Sequence, residues 1–141
     1  MDQRISFVSL AVRDLSASRR FYLDRLGWTA EFEEPDDVVM IKVGAALVLS
    51  LWNRAHFEAE VGRIADGGAG VAPFTLAHNV GSPDEVDQVL ATARAAGADP
   101  VHEARRRDWG GYTGYFADPD GYRWEIAHNP GSIGRIVLPR Q

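Results

Sequence analysis

The chain has 141 residues, 45% apolar and 25% charged, with a formal net charge of −5 and no cysteine. That length carries one domain with its own core, and the balance excludes a disordered chain and argues against nucleic acid as the main partner. Disulfides, thiolate metal sites and cysteine nucleophiles are excluded; with no membrane-length apolar run and no secretory core at the N-terminus, the expectation is a cytoplasmic protein that engages no membrane.

Phe7 to Val12 alternates apolar with small residues, and Arg13-Asp14 ends the run in a helix cap, so a strand feeds a helix. That helix carries Leu15, Phe21, Tyr22 and Leu26 and stops at Gly27, which suits a left-handed C′ position. Strand-like pieces follow at about 29–33, 38–43 and 46–52. A short helix is expected around His56 to Val61, and Gly67-Gly68-Ala69-Gly70 reads as a flexible linker. That linker is no phosphate loop, because no Lys-Ser/Thr follows it.

The chain then repeats its pattern. Thr75 to Val80 matches the first strand, Ser82-Pro83-Asp84-Glu85 is a capping box with proline at the first helical position, and Val86, Val89, Leu90, Ala93 and Ala96 form a stripe ending at Gly97. Strand pieces are expected at about 100–104, 112–116 and 123–127. Asp118-Pro119-Asp120-Gly121 is a tight turn that delivers Glu125 onto the last of them. Each half is thus β-α-β-β-β. The fold class is α+β: paired βαβββ modules forming a half-open, barrel-like sheet around a concave cavity, with helices outside. One domain spans 1–141, with module one at about 5–52, a linker at 53–73, module two at about 74–129 and a C-terminal tail at 130–141. The tail's Ile133, Ile136, Val137 and Leu138 pack either on the chain itself or on a neighbouring subunit.

Val12-Arg13-Asp14-Leu15 with Phe21-Tyr22 and Leu26-Gly27, then Gly111 to Phe116 with Asp118-Pro119-Asp120-Gly121 and Glu125, resemble the vicinal oxygen chelate superfamily of glyoxalases, bleomycin-resistance proteins and extradiol dioxygenases. The resemblance spans about Ile5 to Asn129. It implies paired βαβββ modules and a homodimer. In metal-dependent members it implies four ligands, two per module. Here those positions fall on Phe7, on Val48 or Ser50, on Thr75 and on Glu125, so only Glu125 keeps a ligand type. The expectation is no metal and no other cofactor. His78 shares the parity of Leu76 and Val80 and is expected in the helix layer as a packed or capping residue. His102 and Glu103 are adjacent and face opposite ways, as do Glu125 and His128, while His56 is expected to be solvated.

With inward parity set by Phe7, Thr75 and Glu125, the expected ligand-binding residues are Phe7, Ser9, Ser50, Trp52, Thr75, Asn79 and Glu125. Trp109 and Tyr112 join them from a glycine-flanked aromatic rim, whose other reading is a plug or a dimer contact. Trp28 and Trp124 are assigned to the core, and Arg105-Arg106-Arg107 to a solvated loop in preference to an anion site. The preferred function is metal-independent binding of a planar or aromatic small molecule, as in antibiotic-sequestering relatives. The alternative is a lyase, isomerase or dioxygenase relative with Glu125 as catalytic base or as part of an atypical metal site. A third reading is a regulatory or assembly module whose cavity is filled by Phe7, Trp52 and Trp109.

Overall fold

In the computed structural model, residues 1, 3, 5–64, 70–72 and 74–138 are described. The chain divides into two compact units, Met1–Ala69 and Gly70–Gln141. Gly67 to Ala69, expected as linker, lie outside the described residues.

The first unit opens with β1 (Phe7–Val12) and α1 (Leu15–Arg19), whose Asp14 cap accepts from the Ala17 N–H at 2.9 Å. A plain helix to Gly27 was the expectation. Instead α1 widens into a π-helical stretch over Arg20–Arg25, closed by the Leu26 N–H donating to the Phe21 carbonyl at 2.9 Å. Gly27 then takes a positive φ of 76°. β2 (Phe32–Glu34) starts three residues later than expected; the Trp28 N–H still bonds back to the Tyr22 carbonyl, and pairing with β3 begins where the Glu31 N–H donates to the Met40 carbonyl at 2.8 Å. β3 (Val38–Gly44), β4 (Leu47–Asn53) and α2 (Arg54–Glu60) follow. The sheet order is β1-β4-β3-β2, with β1 parallel to β4 and the other pairs antiparallel. One face turns Leu10, Val12, Val39, Ile41, Leu49 and Leu51 inward with Phe21 and Tyr22, and all are buried. Trp28 is half-buried, its ring 5.4 Å from Tyr22.

The second unit repeats the plan: β5 (Leu76–Asn79), α3 (Pro83–Ala95), β6 (Val101–Arg106), β7 (Tyr112–Ala117) and β8 (Arg123–His128), in the order β5-β8-β7-β6. Its core is Val86, Leu90, Ala93, Phe116, Trp124 and Ile126. Phe116 and Trp124 stack with centroids 6.2 Å apart. The capping box at Ser82 and Glu85 is formed as the spacing predicts. At the other end Gly97 (φ 93°) gives a Schellman closure, Ala98 N–H to Ala93 O and Gly97 N–H to Arg94 O, both 3.0 Å. Ser82→Ala is expected to lower stability by about 1 kcal/mol, read from the denaturant midpoint. A loss near zero would mean that Gly81 and Glu85 close this end without it.

The turn before β8 forms around Asp118. This buried carboxylate accepts from the Asp120 and Tyr122 N–H groups at 3.0 and 2.9 Å, and Gly121 sits at φ 86°. A final helix, α4 (Ser132–Val137), leaves Ile133, Ile136 and Val137 exposed. Among the described residues no helix is long and apolar enough to cross a membrane.

Candidate functional site

In the first unit, four of the residues singled out from sequence come together. Phe7, Ser9, Ser50 and Trp52 line one hollow of about 200 Å³ with Asp37, Val38 and Met40, on the face opposite α1. The sheet register brings them there, since Ser9 lies beside Ser50, Ser50 beside Met40, and Val38 beside Trp52. Side chains directly paired across strands share a face. Phe7 is half-exposed, whereas Ser50 is buried.

Trp52 is held in place. Its indole Nε1–H donates to Asp37 Oδ1 at 3.2 Å, and its ring meets Phe57 of α2 edge-on at 5.6 Å. The same Asp37 oxygen lies 2.6 Å from His56 Nδ1. His56 is therefore the partner of an acid beside the hollow, although half of it is exposed. It was expected in solvent because it falls in the stretch read as linker, and Asp37, distant in the chain, is brought to it only by the fold. Asp37 is itself fixed through its backbone. Asn53 N–H bonds the Asp37 carbonyl at 2.8 Å, and the Asn53 side chain donates to the Asp36 carbonyl at 3.0 Å. Asp36 adopts φ 59°, a left-handed conformation that aspartate tolerates in tight turns.

In the second unit, Glu125 is half-buried between Ala77 of β5 and Tyr115 of β7. Asn79 lies one pair further along, beside Ala127, and Thr75 is exposed just before β5. Tyr115 is a residue that the sequence reading missed. Its side is fixed by packing: Gly114 faces Leu90 of α3, so by strand alternation Tyr115 faces the other way. The Tyr115 phenol is held above its ordinary value, first by burial and then by the charge and acceptor oxygens of Glu125, with Arg107 pulling it down. Because the folded value is raised, the stabilisation is complete below the unfolded tyrosine value of about 10 and is lost as pH rises through the folded value. Glu125→Gln is expected to lower the midpoint of that titration, read as tyrosinate absorbance by difference from Tyr115→Phe. An unchanged midpoint would show that Glu125 does not act on Tyr115.

Tyr112 requires a correction. It points toward α3, where its hydroxyl donates to Asp87 at 3.0 Å, and that bond is the main cause of its raised pKa. Its parity is that of Gly114 and Phe116, the helix-facing set, so it does not share a face with Glu125. Trp109 stays at the exposed tip of the β6–β7 hairpin, its ring folded over Gly111, where a Cβ would sit 1.8 Å from the indole. The loop is Asp108-Trp109-Gly110, with Gly110 at φ 93°, a three-residue hairpin whose left-handed position glycine fills. His78 is exposed rather than packed, because β5 is an edge strand. Arg105 and Arg106 belong to β6, not to a loop, because pairing with β7 continues to Tyr112.

The positions at which the resemblance implies metal ligands fall on Phe7, on Val48 or Ser50, on Thr75 and on Glu125. Phenyl and alkyl groups donate nothing to a cation, and one carboxylate with hydroxyls falls short of the three protein ligands that a catalytic divalent ion usually takes. This donor set does not fit such an ion. Among the described residues no three His, Cys, Asp or Glu converge.

Two βαβββ units, each with a helix on one face of a mixed sheet and an open opposite face, define a small α+β domain of the repeated-module class. The model of the Glyoxalase/Bleomycin resistance protein/Dioxygenase superfamily matches residues 4–126, and the chain belongs to that superfamily. A glyoxalase-related enzyme from Fulvimarina pelagi is 34% identical with a TM-score of 0.79, over 91% of this chain and 89% of that one. A glyoxalase/bleomycin resistance protein/dioxygenase from Nocardioides is 26% identical with a TM-score of 0.75, over 94% and 90%. Lactoylglutathione lyase from Agrobacterium tumefaciens shares the fold at 22% identity, with a TM-score of 0.70 over 92% and 96%. No curated protein matches the chain.

Proposed function

We propose that this chain binds a small planar molecule without a metal ion, and that the first-unit hollow takes the ring of that molecule. The observation that carries this reading is the Trp52 indole, fixed by Asp37 and Phe57 as one wall of an apolar hollow beside Ser9 and Ser50. A preset aromatic wall costs little entropy on binding, and an aromatic contact adds about 0.5–1.5 kcal/mol beyond area burial. At about 200 Å³ the hollow is smaller than the roughly 300–1,000 Å³ of drug-sized sites. It suits a single ring with the rest of the ligand outside.

The test is tryptophan fluorescence against a panel of planar aryl amides, quinones and polyphenols. At least one should quench saturably, and Trp52→Leu should weaken it about tenfold, the equivalent of about 1.4 kcal/mol, while Trp109→Leu leaves it unchanged. Absence of saturable quenching by the whole panel, in folded protein, overturns the reading. Dialysis after exposure to nickel, zinc, manganese and ferrous iron should leave far less than one equivalent of each, and near-stoichiometric retention would count against the metal-free part.

A second reading rests on the Tyr115–Glu125 pair. A phenol that keeps its proton beside a carboxylate is suited to acid–base chemistry, and the Fulvimarina relative is described as an enzyme. Turnover abolished in Glu125→Gln with ligand binding retained would favour it.

A further inference from the structure

The open face of the second unit carries a concentration of positive charge that the planar-ligand reading does not use. A regular strand would point His102 and Arg105, three residues apart, to opposite faces. Here His102 pairs with Tyr115 and Arg105 with Thr113, so three residues of β6 span two of β7. The irregularity is a β-bulge, a device that re-aims side chains and that clusters near functional sites. It brings His102 and Arg105 onto the face of Tyr115, and Arg107, two residues on, joins them. Together they line a hollow of about 560 Å³ with Val101 and Glu103, within the roughly 300–1,000 Å³ range of small-molecule sites.

The cations there are not spent on acids. Arg107 donates from Nε to Thr113 Oγ1 at 2.6 Å and from Nη2 to the Thr113 carbonyl at 3.2 Å, and lies 5.9 Å above the Tyr115 ring. Thr113 is buried, so the guanidinium is anchored by neutral groups, with Nη1 left over. Among the described residues Arg105 and Arg107 make no ion pair. Glu103, the one acid lining the hollow, is committed to Arg94 of α3. Glu125 lies on the far side of Tyr115 from β6. In a chain of net charge −5, two unneutralised arginines lining one hollow, Arg105 in β6 and Arg107 just past its end and preset, are a local reversal of sign.

We infer that this hollow binds the oxyanion of a small organic molecule, a carboxylate or a phosphate, between Arg105 and Arg107. Arginine's planar fork matches both groups, and charge-assisted bonds to it are about twice as strong as neutral ones. The inference rests on second-unit residues and stands whether or not the Trp52 hollow takes a ring.

The test follows the arginine Nε–H resonances by NMR while the full chain is titrated with benzoate, phenyl phosphate and neutral benzyl alcohol at physiological salt. The Arg107 signal should shift saturably with at least one anion and not with the alcohol. Saturation by benzoate alone assigns a carboxylate site, and saturation by phenyl phosphate alone a phosphate site. Arg105→Gln should weaken binding about tenfold or more, as a lost charged hydrogen bond implies. Arg106→Gln, which changes the same charge on the opposite face, should leave it unchanged, and so should Trp52→Leu. No saturable shift with either anion overturns the inference. Equal weakening by Arg105→Gln and Arg106→Gln also overturns it, because that pattern is diffuse attraction to a basic strand.

Discussion

Tyr22→Ala is expected to cost about 3–5 kcal/mol, the range for removing a large buried aromatic ring. Tyr22 has no exposed surface. Its ring meets Phe21 edge-on at 5.2 Å and Trp28 at 5.4 Å. It sits in the π-helical stretch, whose carbonyls close the helix onto Leu26 and Trp28. Loss of the ring therefore removes packing and also loosens the chain leading into β2. Against a typical domain stability of about 5–15 kcal/mol, the first unit should be partly unfolded at moderate denaturant. The measurement is the urea midpoint of Tyr22→Ala beside Phe32→Ala, whose ring is half-exposed and which should lose far less. Equal losses in the two variants would show that the cluster does not carry the first unit.

Gly114→Ala should destabilise the second unit by about 1–3 kcal/mol, the usual cost of overpacking. A Cβ there would lie 2.5 Å from Leu90 Cδ1, 2.8 Å from the His102 carbonyl and 3.0 Å from the Ala104 N–H nitrogen. The leucine tip can rotate away, but the two backbone atoms belong to the bulge of β6 and are held by its pairing with β7. A strand glycine at such a point marks close backbone approach. The double variant Leu90→Ala/Gly114→Ala separates the two contacts. If the backbone decides, Leu90→Ala does not offset the loss at Gly114 and the two costs add. If the leucine decides, the coupling is favourable by a sizeable part of the single-site cost. The same substitution should disturb His102 and Arg105, so anion binding should weaken along with stability.

The turns and caps were legible because each depends on residues close in the chain. Asp14, Ser82 with Glu85, Gly27, Gly97 and Asp118 to Gly121 all do what their spacing implies. The family could be read as well, from short motifs in the right order along two similar halves. Strand parity, carried along each strand, placed Phe7, Ser9, Ser50 and Trp52 correctly on one face. It could not bring His102 and Arg105 together, because Arg105 was assigned to a loop and no residue in β6 announces the bulge that shifts its parity. Tyr112 was assigned to the rim from its glycine neighbours, and only its meeting with Asp87 of α3 shows which side it faces.

What the sequence determined by itself is the repeated order of elements in the two halves, the capped ends and the superfamily, since capping, turn geometry and periodicity act over a few residues. What only the tertiary structure decided is which distant residues meet. The strand order β1-β4-β3-β2, with its counterpart in the second unit, sets Asp37 on Trp52 and His56, Glu125 beside Tyr115, and two arginines on one open face. Those meetings depend on pairing partners tens of residues apart, and burial of each unit's apolar face selects them where local preference is silent.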